Sequence, residues 1–383
     1  MSSSPLLLSP VQISALILRN RIVISPMCQY SAEDGHLTDW HMTHLGQFAL
    51  GGAGLVFTEA TAVEARGRIT HGDAGLWTDA QIAPYKRIFD FLKGHGAATG
   101  IQLAHAGRKA SMQRPWFGNG PLGEADFARG DHPWEIVGAS PIPVDDGWIV
   151  PREIAASEIP DLVDQFAAAA RRADQAGADV VEVHGAHGYL IASFLSPISN
   201  KRDDRYGGDR QGRMRLALEV TEAVRAAWPD EKPLFFRLSA VDGGGADGWT
   251  LEDSVVLAKS LKGLGVDVID CSSGGISGPA TAAGGAKRQP GFQVAFSERI
   301  RAEAEIMTQA VGLITHPEQA EAILRKGKAD LIAIGREALQ DPYWAAHAAA
   351  WFDADADYAD WPKQYGWWLE RRDTTSEFYA PEA

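Results

Sequence analysis

ADVVEVHGAHGYL, residues 178–190, sets two histidines and a tyrosine at the end of VVEV, a run that reads as a buried strand. Short apolar runs bounded by Gly, Asp or Pro suit strands covered on both faces, as in parallel sheets. Eight runs have this form: 21–27, 54–60, 99–105, 179–187, 233–240, 266–274, 307–315 and 329–336. Chemically suggestive residues gather at their C-terminal ends. Cys28 and Tyr30 follow RIVISPM, Ala60 ends GLVFTEA, Gln102 lies in TGIQLAH, Arg237 in PLFFRLSA, and Arg336 follows ADLIAIG. In a closed parallel barrel these ends share one rim, where barrel enzymes keep their active sites.

Helical spacing fills most of the gaps between the runs. In 157–177, Ser157 can cap, Pro160 falls in the first turn, and Gly177 stops the helix. Helical 250–265 precedes VDVIDCSS, and HPEQAEAILRKGK precedes ADLIAIG, with an aspartate opening each strand. Such αβ repeats close into a barrel or extend as a doubly wound sheet. Eight units with functional residues on most strand ends favour an α/β fold of the (β/α)8 TIM-barrel type, one domain over 1–383. Residues 106–156 are rich in Gly, Pro and Trp and break the rhythm. They follow the third strand, so they are expected to cap the active rim, with a hairpin near 144–150, or else to form a plain surface insertion. The 353–383 tail is acidic and then aromatic, which points to docking on a neighbouring subunit.

Composition narrows the partners. The net charge is −14 and no basic stripe stands out, which argues against a nucleic-acid surface. Two cysteines, Cys28 and Cys271, cannot build a disulfide framework or a four-thiolate cluster. MSSSPLLLSPVQIS does not read as a signal peptide, and no run reaches the roughly 18 to 20 apolar residues of a membrane span. The expected location is the cytoplasm.

His184 and His187 lie three apart where a strand ends, so a turn can aim both rings into one pocket. Two imidazoles can grip one substrate oxygen and stabilise charge developing there, and Tyr189 can donate a proton. Metal ligation and a structural role are the alternatives, although no third ligand accompanies the pair at metal-binding spacing. Arg237, inside an apolar strand, needs an anionic partner: Asp270, or an electron-accepting cofactor. Gln102 can read the imide edge of a ring or satisfy a backbone group. Gly335 and Arg336 follow the eighth strand, and with Gly312 of AVGLIT they match the usual phosphate position of barrels. No dinucleotide fingerprint is present. A phosphate grip, a ring-edge reader, an arginine and a thiol favour FMN over a bound NAD.

With these residues in place, the chain resembles the Old Yellow Enzyme family of flavin-dependent ene-reductases, on the branch that includes xenobiotic reductase. The resemblance is carried by SPMCQY (25–30), FTEA (57–60), QLAHAGRKA (102–110), EVHGAHGYLIASFLSPISNKRDDRYGG (182–208), FRLSA (236–240), AVGLIT (310–315) and ADLIAIGRE (329–337). It implies that Ser25, Pro26, Met27 and Cys28 contact the flavin, with Ala60, Gln102 and Arg237 on its polar edge and Gly335 and Arg336 binding the phosphate. Tyr30, His184 and His187 then hold the substrate's oxygen, and Tyr189 is the proton donor. Cys28 stands where the founding branch has threonine, and His187 where it has asparagine. Trp367 lies nearest the position where part of the branch has a C-terminal arginine from the adjacent subunit. An indole there would narrow the pocket and make it more apolar.

The resemblance implies an FMN enzyme reduced by NADPH or NADH in a ping-pong cycle, acting on α,β-unsaturated carbonyl or nitro compounds. It also implies a homodimer or homotetramer, with no metal, nucleic acid or membrane partner. A metal-dependent hydrolase and a non-catalytic phosphate-ligand binder are the rival classes. Iron–sulfur dienoyl-CoA reductases share the barrel, but two cysteines are too few for their cluster.

Overall fold

Each of the eight apolar runs forms one strand: β1 (Ile22–Ile24), β2 (Leu55–Ala62), β3 (Ala98–Ala104), β4 (Val180–Gly185), β5 (Leu234–Ser239), β6 (Val268–Ser272), β7 (Met307–Val311) and β8 (Leu331–Ile334). In this computed structural model, which describes residues 4–278, 288–355 and 357–374, they pair in sequence order as a closed barrel. Closure runs through parallel pairing of Ile332 with Ile22 and Ile334 with Ile24. That contact decides for the barrel over the open sheet.

Seven helices alternate with the strands: α1 (Asp39–Leu50), α2 (Ile82–Gly94), α3 (Ile159–Gln175), α4 (Arg210–Ala227), α5 (Leu251–Gly263), α6 (Val294–Ala304) and α7 (Pro317–Arg325). Pro160 lies in the first turn of α3, and Gly177 beyond its end takes φ +86°. Ser157 does not cap it. Glu158 precedes the helix instead, accepting from the Ala155 N–H and pairing with Arg152. Thr250 does cap α5, accepting from the Asp253 N–H.

Apolar side chains fill both layers. Val23, Leu55, Phe57, Val180, Phe235, Val268 and Leu331 cluster with Val11, Ile13 and Leu18 of an N-terminal hairpin (Val11–Ile13 with Leu16–Leu18). A second, larger cluster joins strands to helices.

One device repeats at the N-terminal end of the barrel. The aspartate before β4, β6 and β8 accepts from a backbone N–H of the preceding strand: Asp179 from Thr99, Asp267 from Leu234, Asp330 from Thr308, at 2.8–3.0 Å. The same three aspartates donate their own N–H to the carbonyls of those residues. A strand start is thereby pinned to its neighbour by two hydrogen bonds, which fixes register before the ladder begins.

The 106–156 insertion differs from expectation in detail. No hairpin forms at 144–150. Val137–Gly138 pairs in parallel with Arg152–Glu153, and the loop between them carries Pro141, Pro143 and Pro151, which lack the N–H a ladder needs. From the insertion, Ala106, Ala110, Met112 and Ile136 form a cluster with Tyr189, against which Cys28, Tyr30, Trp134 and Trp148 pack. Of the tail, residues 356 and 375–383 lie outside the described residues. A helix, Lys363–Asp373, lies within them. No helix among the described residues is long and apolar enough to cross a membrane.

Replacing Asp267 with Ala strips partners from the Leu234 N–H and the Ser14 hydroxyl. We expect a loss of about 1–3 kcal/mol in urea unfolding, with ligand binding at the opposite rim retained. An unchanged midpoint would show that the clamp adds nothing.

Candidate active site

The turn after β4 is built by backbone contacts. His187 takes φ +60° and Gly188 φ +71°. A Cβ on Gly188 would fall 2.1 Å from the Gly275 carbonyl oxygen, so no other residue fits between the β4 and β6 loops. The His187 N–H donates to Ser239 Oγ at 2.9 Å, and the Ser239 hydroxyl donates to the Gly274 carbonyl at 2.8 Å. Lys109 is fully buried and donates to the carbonyls of His187, at 2.9 Å, and Gly275. Burial, with Arg108 adding to it, draws its ammonium down to about 7. Even the neutral amine keeps two N–H donors, one for each carbonyl.

This frame brings three rings together. Centroids of His184 and His187 lie 5.1 Å apart, His184 and Tyr189 5.2 Å, and His187 and Tyr189 6.5 Å. His187 Nδ1 comes within 3.3 Å of His184 Nε2. Burial, reinforced by the nearby Arg237 cation, pushes both imidazoles well below their ordinary range. Burial also raises the Tyr189 phenol. At neutral pH the site thus presents two neutral imidazoles and a protonated phenol. Among the described residues no group of three His, Cys, Asp or Glu is placed to hold a metal ion.

Cys28 and Tyr30 approach from the loop after β1. A bulge in β2 between Phe57 and Ala60 resets the register, so that Ala60 pairs with Gln102. The Glu59 carboxylate accepts from the Gln29 N–H at 2.9 Å and meets His41 Nε2 of α1 at 2.9 Å. The bulge thereby ties the Cys28–Tyr30 loop to α1. Tyr30 takes φ +50°, uncommon for a bulky residue and frequent at functional sites. Burial, then Glu59 and Asp73, pushes the Cys28 thiol up, so it is not a thiolate.

Below the rings runs a belt of buried polar side chains on consecutive strands: Gln102, Glu182, Arg237, Asp270 and Gln309. Gln102 Nε2 donates to Glu182 at 2.8 Å, and Arg237 pairs with Asp270 at 3.2 Å. Asp270 is therefore the arginine's protein partner. Gln102 keeps one N–H and its carbonyl oxygen for another group. Burial, with Asp270 adding repulsion, holds the Glu182 carboxyl above its ordinary range.

A cavity of about 450 Å³ opens between Ser25, Pro26 and Met27, Arg237, the 311–315 loop and the 333–337 turn. Small-molecule sites occupy roughly 300–1,000 Å³. Ser25 Oγ and Arg237 Nε are buried without a protein partner, and Arg336 is exposed with no ion pair among the described residues. Gly312 takes φ +117°, and a Cβ there would fall 2.7 Å from Gln293 Nε2. Buried unmatched donors and an exposed arginine in one cavity fit a ligand carrying a polar ring edge and a phosphate, as FMN does. Trp367 is not part of this assembly. It stands half exposed on the tail helix, against Trp368 and Arg371. Asp360, just before that helix, lines a crevice with Arg19 and Asn20, which precede β1 at the opposite end of the barrel.

Several residues of this frame were not foreseen: Ser239, Ser272, Lys109, Glu59, His41 and Glu182. Ser239 and Ser272 end strands, so strand-end position was the available signal.

Two neutral imidazoles and a phenol thus stand on the rim beside Arg237, which pairs across the ladder with His184 and also lines the cavity. A family model described as NADH:flavin oxidoreductase / NADH oxidase matches residues 6–352, and the chain belongs to that family. FMN is its cofactor and a reduced nicotinamide nucleotide its reductant. It is 44% identical over 346 residues to an NADPH dehydrogenase of Geobacillus sp. (strain WCH70), covering 90% of this chain and 94% of the relative. It is 42% identical over 365 residues to one of Bacillus subtilis (strain 168), covering 94% and 99%. Among solved structures, morphinone reductase superposes with TM-score 0.76 at 26% identity, covering 91% of each chain. The old yellow enzyme homologue from Zymomonas mobilis gives 0.71 at 27%, covering 91% of this chain and 93% of its own.

A raised Glu182 carboxyl has a defined consequence for stability. The folded chain holds this proton while the unfolded chain releases it from about pH 4.5 upward. Stability therefore falls as pH rises, by up to about 1.4 kcal/mol per unit. Glu182→Gln removes that slope, so its advantage over wild type in urea unfolding grows between pH 5 and pH 8. A pH-independent difference would show that Glu182 ionises normally.

Proposed function

We propose that this enzyme reduces the activated C=C bond of α,β-unsaturated carbonyl or nitro compounds with electrons from NADPH, or less readily NADH, in a ping-pong cycle. The observation that carries the reading is the convergence of His184, His187 and Tyr189 on one side of the rim that also bears Cys28 and Arg237. When bound, FMN would supply two-electron hydride chemistry between the nicotinamide and the substrate's β-carbon. Ser25, Pro26, Met27, Cys28, Ala60, Gln102 and Arg237 would hold its ring, and Gly312, Gly335 and Arg336 its phosphate.

The chain's own groups account for the rest. His184 and His187 donate to the carbonyl or nitro oxygen, and Tyr30 lies beside it. Both imidazoles are neutral, so their donation strengthens as negative charge grows on that oxygen, which favours the transition state over the ground state. Tyr189 keeps its proton until the α-carbon becomes basic, and then delivers it. The 106–156 cap, packed on Tyr189 and Tyr30, excludes water from the transfer. Two free cysteines suit a reducing cytoplasm.

The chain works as one FMN-binding barrel unit whose 353–383 tail docks on a second copy, as homodimer or homotetramer. Trp351, Tyr365, Trp367 and Trp368 are all exposed, which supports that reading. Trp367 would then reach a neighbour's pocket, since it does not reach its own.

Tyr189→Phe should leave FMN bound and NADPH oxidation fast, while slowing enone reduction about 10²-fold or more in anaerobic stopped flow. Loss of FMN, or unimpaired enone reduction, would contradict the role. The double change His184→Ala and His187→Ala should weaken phenol and enone binding far more than reduction by NADPH. Trp368→Glu should shift sedimentation toward monomer; an unchanged assembly would remove the tail from the interface.

A further inference from the structure

Ser272 ends β6 and is almost fully buried. Its Oγ lies 2.7 Å from His187 Nε2, the ring nitrogen turned away from His184. The opposite nitrogen, Nδ1, lies 3.3 Å from His184 Nε2. The two imidazole atoms that converge are therefore Nε2 of His184 and Nδ1 of His187. This inference rests on the reading that a substrate oxygen sits between them.

For both rings to donate to one oxygen, the hydrogens must be on those two converging atoms. A neutral imidazole carries a single N–H, so Nε2 of His187 must then be an acceptor, and the Ser272 hydroxyl 2.7 Å away is placed to donate to it. We propose that Ser272 is a positioning residue that sets the His187 tautomer: its hydroxyl donates to Nε2 and keeps the ring hydrogen on Nδ1, aimed at the substrate oxygen.

Two features separate this role from a merely structural one. The His187 backbone is held by other residues, its N–H by Ser239 and its carbonyl by Lys109, so the turn does not depend on Ser272 for its shape. A hydroxyl can also donate or accept. In the empty site it tolerates the reverse arrangement, in which His184 donates to Nδ1 and His187 donates to Ser272. Arrival of an oxygen ligand selects the first arrangement, and the serine rotates its hydrogen to match.

The test uses the FMN-loaded enzyme with ¹⁵N-labelled histidine and 4-chlorophenol as the oxygen ligand. Ring-nitrogen shifts, assigned by their loss in His187→Gln, report which His187 nitrogen carries hydrogen. In wild type saturated with the phenol, Nδ1 should be protonated and Nε2 should show an acceptor shift. Ser272→Ala should move the hydrogen at least partly to Nε2 and weaken phenol binding about five- to tenfold, the worth of one buried hydrogen bond. Ser272→Thr, which keeps the hydroxyl, should restore both. Wild-type-like tautomer and affinity in Ser272→Ala would overturn the role of Ser272 while leaving the site reading intact. Phenol binding by wild type that is insensitive to His184→Ala would instead overturn that reading, and the proposal with it.

Discussion

A left-handed turn at His187 and Gly188, pressed against the backbone of Gly275, is the constraint on which the site depends. The contact leaves no room for a Cβ at Gly188, so the β4 and β6 loops meet main chain to main chain. Ser239 and Lys109 then satisfy the polar groups that such a turn exposes. Everything chemical in the pocket follows from this placement. His184 leaves the end of a rigid strand, His187 is swung back beside it, and Tyr189 is delivered one residue past the glycine. A site built this way loses little order on binding, because its donors are already held in place.

Electrostatics reinforces the geometry. Arg237 is next to His184 across the β4–β5 ladder and already has Asp270 as a partner. Burial, with the arginine adding to it, makes protonation of either histidine costly, so in the proposed reaction the pair donates through neutral N–H groups. The buried belt below follows the same logic. Two carboxyls, Glu182 and Asp270, share the interior with a single cation, and burial keeps protons where charges would be unpaired. Barrel interiors are commonly filled with aliphatic layers. Here the strands β3 to β7 give up part of that filling for polar residues beneath the cavity.

Much of the architecture was legible because each strand is a short apolar run with a chemical residue at its end. His184, His187 and Tyr189 were legible because one continuous segment carries all three. What could not be read depends on neighbours in space. Ser272 matters only because β6 lies two strands from β4 in the closed barrel, and Glu182 only because its ladder partner is Gln102. The seventh run was expected to reach 315, yet β7 stops at Val311, where Gly312 takes a positive φ that ends the ladder. In the cap, three prolines prevent the expected hairpin, and a parallel pairing across the loop replaces it. Trp367 was assigned by resemblance to the pocket of an adjacent subunit, and a single chain holds no such pocket beside it.

The central claim is that hydride reaches the β-carbon of an activated alkene while a proton from an exchangeable phenol reaches the α-carbon. Reduction of 2-methylcyclohexenone in D₂O with unlabelled NADPH tests it directly. The account predicts one NADPH oxidised per product under anaerobic conditions, with deuterium at the α-carbon by mass and NMR analysis. Protium at the α-carbon, or NADPH consumed with the C=C bond left intact, would contradict it.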